Sequence, residues 1–229
     1  GTAGDLYYGQ DNKIQFKING DLRPIIRYPH RKDDDKTGAI VMYESPYKNQ
    51  NQQVPHNLYV LCHDPYGQNQ SADSMSLGSA YVIKRVNNIS TPDDIIVASY
   101  VGRPHTQDAY NKNLFMLADY YNCKIGFEND RGEVIAYAKR HRKMHRLQEE
   151  FEMLDKRELR SKTVKRQYGM HMTEARKRQG EIYIRDWLNS VRSKNEEGEQ
   201  VLNLHKIYDL ALLQELIKFN HKGNFDRVM

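Results

Sequence analysis

The feature that most constrains this chain is a succession of short β-rich runs, then one helical stripe, then another short strand. N-L-Y-V-L-C-H (57–63), G-S-A-Y-V-I-K-R-V (78–86) and D-I-I-V-A-S-Y-V (94–101) are rich in β-branched and aromatic residues and too short for typical helices. Pro65 and Gly67 stop the first run, and N-N-I-S-T-P-D separates the second from the third. Three such runs in a row predict an antiparallel meander. Tyr110, Leu114, Leu117, Ala118 and Tyr121 then recur at helical spacing, and K-I-G-F (124–127) predicts a short strand behind that helix. The outcome is an α/β chain: a mixed sheet, part meander and part parallel, flanked by helices.

The flanks carry weaker signals. K-I-Q-F-K-I and R-P-I-I-R-Y-P are strand-like pieces in a polar N-terminal stretch, R-K-D-D-D-K-T-G is a turn or loop, and G-A-I-V-M-Y-E reads as a strand. From Gly132, E-V-I-A-Y-A-K-R-H-R-K-M-H-R-L has a helical pattern, as does Y-I-R-D-W-L-N-S-V, with Trp187 facing the core. N-E-E-G-E-Q is a turn. The clearest amphipathic helix runs from Ile207 to Phe219, with Asp209 as its capping residue. A further helix is expected to begin near the end, with Asn224 as cap and Asp226 in its first turn. Two organisational units follow: an N-terminal strand and loop segment (1–56) and a core (57–229) with a basic helical insertion at about 139–180.

Three acids sit where these elements run out into polar chain: Asp64 after the first β-run, Glu128 after K-I-G-F, and Asp226 in K-G-N-F-D-R-V-M. Carboxylates at element ends can converge and hold two divalent ions, which activate a water and relieve charge during phosphodiester cleavage. Hard oxygen ligands select Mg²⁺ or Mn²⁺. Asp64, on the most rigid strand, suits the bridging position; Glu128 and Asp226 would each complete one ion's shell. Each acid also has a purely structural reading, since Asp ends strands as a turn former and starts helices through the dipole. Asp73 and Asp130 are candidates for supporting groups or for loop and helix caps. His63 should point to the opposite strand face from Asp64. His141 and His145 have i,i+4 spacing but no Cys or acid partner, which favours a solvated or phosphate-facing pair over a zinc site.

Charge supports a phosphate-bearing partner. The chain has 35 Lys plus Arg against 30 Asp plus Glu, a net of +5. Residues 139–178 hold 14 basic and 6 acidic residues, a local net of +8 that leaves −3 for the rest. Such a patch favours nucleic acid through counterion release, although a solvated face of helical ion pairs would look similar. Arg103, Lys139, Arg140, Arg142, Lys143, Arg146, Lys165 and Arg166 are the candidate backbone contacts. No G-x-x-x-x-G-K-[ST] loop occurs, and no E-x-K element. No run approaches the ~20 apolar residues of a bilayer span. Cys62 and Cys123, placed in or beside apolar runs, do not form a disulfide framework and suit a reducing setting.

The order of elements resembles the ribonuclease H-like fold. More specifically, H-D-P-Y-G, S-M-S-L-G-S-A-Y-V-I-K-R, Y-V-G-R-P, L-A-D-Y-Y-N, F-E-N-D-R-G and N-F-D-R-V-M together resemble the C-terminal nuclease domain of the terminase large subunit of tailed bacteriophages, from about Val41 onward. The resemblance implies two Mg²⁺ or Mn²⁺ ions held by Asp64, Glu128 and Asp226, and endonucleolytic cutting of concatemeric double-stranded viral DNA during packaging. It also implies an ATPase motor domain ahead of this chain, a portal and a small terminase subunit as partners, and a place in the host cytoplasm, transiently at the procapsid. Three other readings remain open from the residues: a junction resolvase, a transposase-like nuclease of the same fold, and a non-catalytic DNA-binding module.

Overall fold

Central strands buried on both faces build the molecule. The computed structural model describes residues 1–31, 33–66, 76–129, 132–150, 167–220, 222–223 and 225–228. Nine strands occur among them: β1 (Thr2–Tyr8), β2 (Ile14–Ile18), β3 (Ala39–Met42), β4 (Tyr59–Asp64), β5 (Gly78–Lys84), β6 (Ile95–Gly102), β7 (Lys124–Phe127), β8 (Val191–Lys194) and β9 (Gln200–Leu202). The helices are α1 (Gln107–Tyr120), α2 (Glu133–Arg140), α3 (Glu174–Leu188) and α4 (Leu210–Lys218).

Seven strands form one sheet in the order β2-β1-β3-β6-β5-β4-β7. β4, β5 and β6 are the expected antiparallel meander. β7 joins β4 in parallel, with Phe127 opposite His63, after α1 has carried the chain back along the sheet. This is the expected α/β mixed sheet, consistent with a ribonuclease H-like fold. β3, β1 and β2 extend it beyond β6, all antiparallel.

One face of the sheet packs under α1 and α2. Tyr59, Leu61 and His63 of β4 point to it, as do Ala80, Val82, Ala98 and Tyr100, while Leu114, Leu117 and Ala118 of α1 are completely buried against them. Each buried Leu contributes about 1.5–3 kcal/mol relative to exposure. α1 starts where Thr106 accepts a hydrogen bond from the Ala109 N–H at 3.1 Å, and it ends at Asn122, whose φ of 48° turns the chain toward β7. The other face carries Cys62, Asp64, Ser79, Tyr81 and Val101, and is covered by α4 and, more loosely, by α3.

Several local expectations change. R-P-I-I-R-Y-P is not a strand: Pro24 and Pro29 lack donors, and its polar backbone groups turn instead to the C-terminal part of the chain. Ile25 O accepts from Arg227 and Tyr28 N–H donates to Gln214. The helix from Gly132 stops at Arg140, because Arg142 takes a left-handed conformation (φ 56°) and the chain continues through a single 3₁₀ turn at Met144–Arg146. Within the expected basic helical insertion, only α2's last turn and the start of α3 are α-helical among the described residues; 151–166 lie outside them. N-E-E-G-E-Q turns between β8 and β9, a hairpin that the sequence pattern did not reveal. The helix expected from Ile207 to Phe219 spans Leu210–Lys218, and Asp209 caps it by accepting from Leu212 N–H at 3.0 Å. Asp226 is in a turn and not in a helix, since the next two backbone N–H groups donate to Glu215. No helix among the described residues is long and apolar enough to cross a membrane.

Candidate active site

The parallel pairing of β4 and β7 brings the first two acids together. Glu128 follows Phe127 just as Asp64 follows His63, and the Glu128 N–H donates to His63 O at 3.3 Å. Their side chains meet on the α3–α4 face, where the two carboxyls share a hydrogen bond. Burial, and then the negative charges of Glu128 and Asp226, hold the Asp64 carboxyl well above the usual carboxylate range. Lys177 of α3 is the positive charge that opposes this.

Asp226 reaches the same face from the C-terminal side. Ser79 is the register partner of Asp64, and the Ser79 hydroxyl donates to the Asp226 backbone oxygen at 2.5 Å. The Asp226 carboxylate accepts from Ser76 Oγ at 3.3 Å and from Leu77 N–H at 3.1 Å. Burial nevertheless pushes its pKa up to about 6; the Leu77 N–H bond opposes this, and the nearby Glu215 charge adds to it. The Asp226 block is fixed by α4. Glu215, fully buried, accepts from Arg227 N–H at 2.6 Å, Val228 N–H at 3.0 Å and Arg227 Nη1 at 3.2 Å.

The three acids are therefore neighbours, but not a closed ligand set: among the described residues no three His, Cys, Asp or Glu side chains gather closely enough to hold a metal ion. Two adjoining clefts open beneath α3. One, of about 380 Å³, is lined by Glu128, Met170, Lys177 and Tyr183; the other, of about 450 Å³, by Asp64, Ser79, Tyr81 and Trp187. Cys62 and His63 border both.

His63 projects away from Asp64, as expected. Its ring stacks on Tyr110, Nδ1 lies 2.8 Å from Ser79 O, and burial lowers its pKa to about 4, so it is a neutral core residue. His141 stacks on Tyr137 with ring centroids 4.1 Å apart and its side chain is exposed; no zinc-like cluster forms around either His141 or His145 among the described residues. Asp73, Asp130, Lys165 and Arg166 lie outside the described residues.

The basic candidates divide. Arg103 is a brace: its Nη1 donates to Ser76 O at 2.9 Å and the guanidinium lies 4.8 Å from the Tyr66 ring centroid, which steadies the segment that holds Asp226. Lys143 and Arg146 bind the Asp119 carboxylate at 2.5 and 2.6 Å, near the C-terminal end of α1. α1 begins beside Tyr66, where Gln107 Nε2 donates to Tyr66 O, so Asp119 lies toward the end of the sheet remote from the three acids. Lys139 and Arg142 are exposed, and exposed Arg140 pairs with Asp108. Sequence reasoning did not single out Lys177, Ser76, Ser79, Glu215 or Arg227. Only Glu215, an acid in the middle of a largely apolar helix, carried a visible signal.

A scan against protein-family models finds no match to this chain, and a search of curated proteins finds none either.

Proposed function

We propose that this chain is a Mg²⁺- or Mn²⁺-dependent endonuclease that cuts double-stranded DNA, in the manner of the packaging nucleases it resembles in sequence, whose substrate is concatemeric viral DNA. The observation that carries this reading is the hydrogen-bonded Asp64–Glu128 pair at the ends of two adjacent parallel strands, with Asp226 tied across the next strand. Hard divalent cations select carboxylate oxygens, and Asp64 and Glu128 offer two such groups side by side at adjacent strand ends.

Bound there, two such ions would supply an activated water and charge relief at the departing oxygen. The protein supplies the rest. β4 and β7 fix Asp64 and Glu128 side by side, Ser76 and Leu77 orient Asp226, and Glu215 anchors the turn that presents it. Exposed Lys139 and Arg142 are available to backbone phosphates. A second reading, a DNA-binding module without catalysis, is favoured by one observation: the Asp226 carboxylate already has two protein donors.

Asp64→Ala separates the two. Nicking of supercoiled plasmid in Mn²⁺ should fall below detection while plasmid binding at low salt persists. A variant that nicks as fast as the parent would sink the nuclease reading. Equal cutting of linear duplex and four-way junctions would set aside the resolvase.

A further inference from the structure

Around the acids, most positive charge is already committed. Arg176 of α3 binds Glu150 at 2.9 Å and donates to His171 O at 2.8 Å, while Arg178 pairs with Glu174 at 2.8 Å. Arg227 is committed to Glu215, and Arg103 to Ser76. Lys177 differs. It sits between Arg176 and Arg178 on α3, is part-buried, and lines the cleft that also contains Glu128. Among the described residues its ammonium makes no hydrogen bond or ion pair. It does act on Asp64 through space, favouring the ionised carboxylate. A half-buried ammonium kept unpaired costs desolvation without return, unless something anionic comes to it.

The geometry points to Lys177 as the cationic contact for a non-bridging oxygen of the phosphodiester that is cut at Asp64 and Glu128. This rests on the nuclease reading above and extends it to the substrate side of the cleft. The cleft between α3 and the sheet, about 380 Å³ and lined by Glu128, adjoins the one lined by Asp64, and its volume is enough for a phosphodiester group of one strand. The carboxyl side of that space repels phosphate; Lys177 gives the opposite wall the reverse sign. Lysine suits the task as a compact point charge on a flexible stem. In the reaction an oxygen–phosphorus bond forms from water and the ester oxygen–phosphorus bond breaks. One water proton passes to solvent, and the departing alkoxide takes up a proton to become the alcohol. Lys177 keeps all its protons, and its charge meets the negative charge that the equatorial oxygens carry through the transition state.

The test uses the whole chain, supercoiled plasmid and Mn²⁺, with Lys177→Met, Lys177→Arg and Asp64→Asn compared with the parent. Loss of one charge-assisted hydrogen bond to the transition state predicts a kcat for Lys177→Met about 10- to 100-fold lower. Its KM for plasmid should change by less than about threefold, because the rest of the duplex contact is untouched. Lys177→Arg should recover kcat to within about tenfold of the parent, keeping the charge with altered geometry. Melting temperatures of both variants should not fall below that of the parent, since the Lys177 ammonium makes no hydrogen bond or ion pair among the described residues. Lys177→Gln, which also keeps a good helix former, is read in the same way if the methionine variant folds poorly. The proposal is overturned if Lys177→Met cuts at the parental rate while Asp64→Asn does not cut, or if Lys177→Arg is as slow as Lys177→Met. An Asp64→Asn variant that cuts at the parental rate would instead bring down the nuclease reading, and this proposal with it.

Discussion

Asp119 and Asp64 sit at opposite ends of the same sheet, and the fold treats their charge in opposite ways. Asp119 is part-buried near the end of α1 and is met by two cations, Lys143 at 2.5 Å and Arg146 at 2.6 Å. Those cations also face the negative end of the helix dipole, so everything at that end favours stability. Asp64 is buried beside Glu128 and within reach of Asp226, and among the described residues Lys177 is the cation that opposes their charge. Clustered like charge costs folding free energy, which sets the second place apart from the first. A basic patch in the sequence, by contrast, proved partly structural: two of its members are used up on Asp119.

A third acid, Glu215, sharpens the contrast, since it is the most buried and the most completely paired. Its carboxylate accepts three hydrogen bonds from Arg227 and Val228, and both members of the ion pair are excluded from solvent. Removing one partner of such a pair strands the other charge, so Glu215→Ala should destabilise the protein by about 3–5 kcal/mol in urea unfolding. The turn bearing Asp226 loses its anchor in the same step. Nicking should therefore fall by more than the folded fraction accounts for. A loss under about 1 kcal/mol would mean that this pair does not hold the C-terminal block.

Asp119→Asn and Asp226→Asn test the comparison directly, because they should move stability in opposite directions. In EDTA at pH 7.5, Asp119→Asn leaves two cations without their anion and should cost roughly 2 kcal/mol. Asp226 has a folded pKa near 6, above the ordinary carboxylate value of 3.8. The folded state thus holds its proton more tightly than the unfolded chain. That contribution is complete below about pH 4 and is lost as pH rises through about 6, so ionisation at pH 7.5 costs roughly 3 kcal/mol. Asp226→Asn should gain a similar amount at pH 7.5 and nothing at pH 4. Thermal melts at the two pH values decide it, and a loss for both variants at pH 7.5 would erase the distinction between the two ends.

How much of this could be read from the sequence follows from the range of each interaction. β4 to β6 and β7 announced themselves as short β-branched and aromatic runs and α1 as an apolar stripe of period 3.6, and Asp64 and Glu128 came with them because strand ends on adjacent strands must be neighbours. β1 pairs its edge with β2 through residues such as Asp5 and Tyr7 that are exposed, so no clean alternation marked it. The fates of Lys143 and Arg146 depend on Asp119, more than twenty residues earlier in the chain, which no local pattern encodes. Asp226 was expected at a helix start because Asp there is favourable; the buried Glu215 captures the donors instead and leaves a turn. Lys177 looked like one more cation in a basic run, and only the packing of α3 over the acids sets it apart.

The smallest effect belongs to Arg140, the exposed counterpart of the Asp119 clamp. Its guanidinium meets Asp108 at 2.6 Å, as short as the Arg146–Asp119 contact, yet the two side chains are 58% and 56% exposed. Water and salt screen a pair in that setting, and holding two long side chains together costs rotamer entropy. Distance alone would rank the two contacts as equals; burial separates them. Arg140→Ala should change unfolding free energy by less than about 0.5 kcal/mol, and 0.5 M salt should remove most of even that difference. Lost cation–π contact with Tyr137, at 5.9 Å, adds little at an exposed site. A cost for Arg140→Ala equal to that for Asp119→Asn would show that contact length, and not burial, governs how this protein uses its ion pairs.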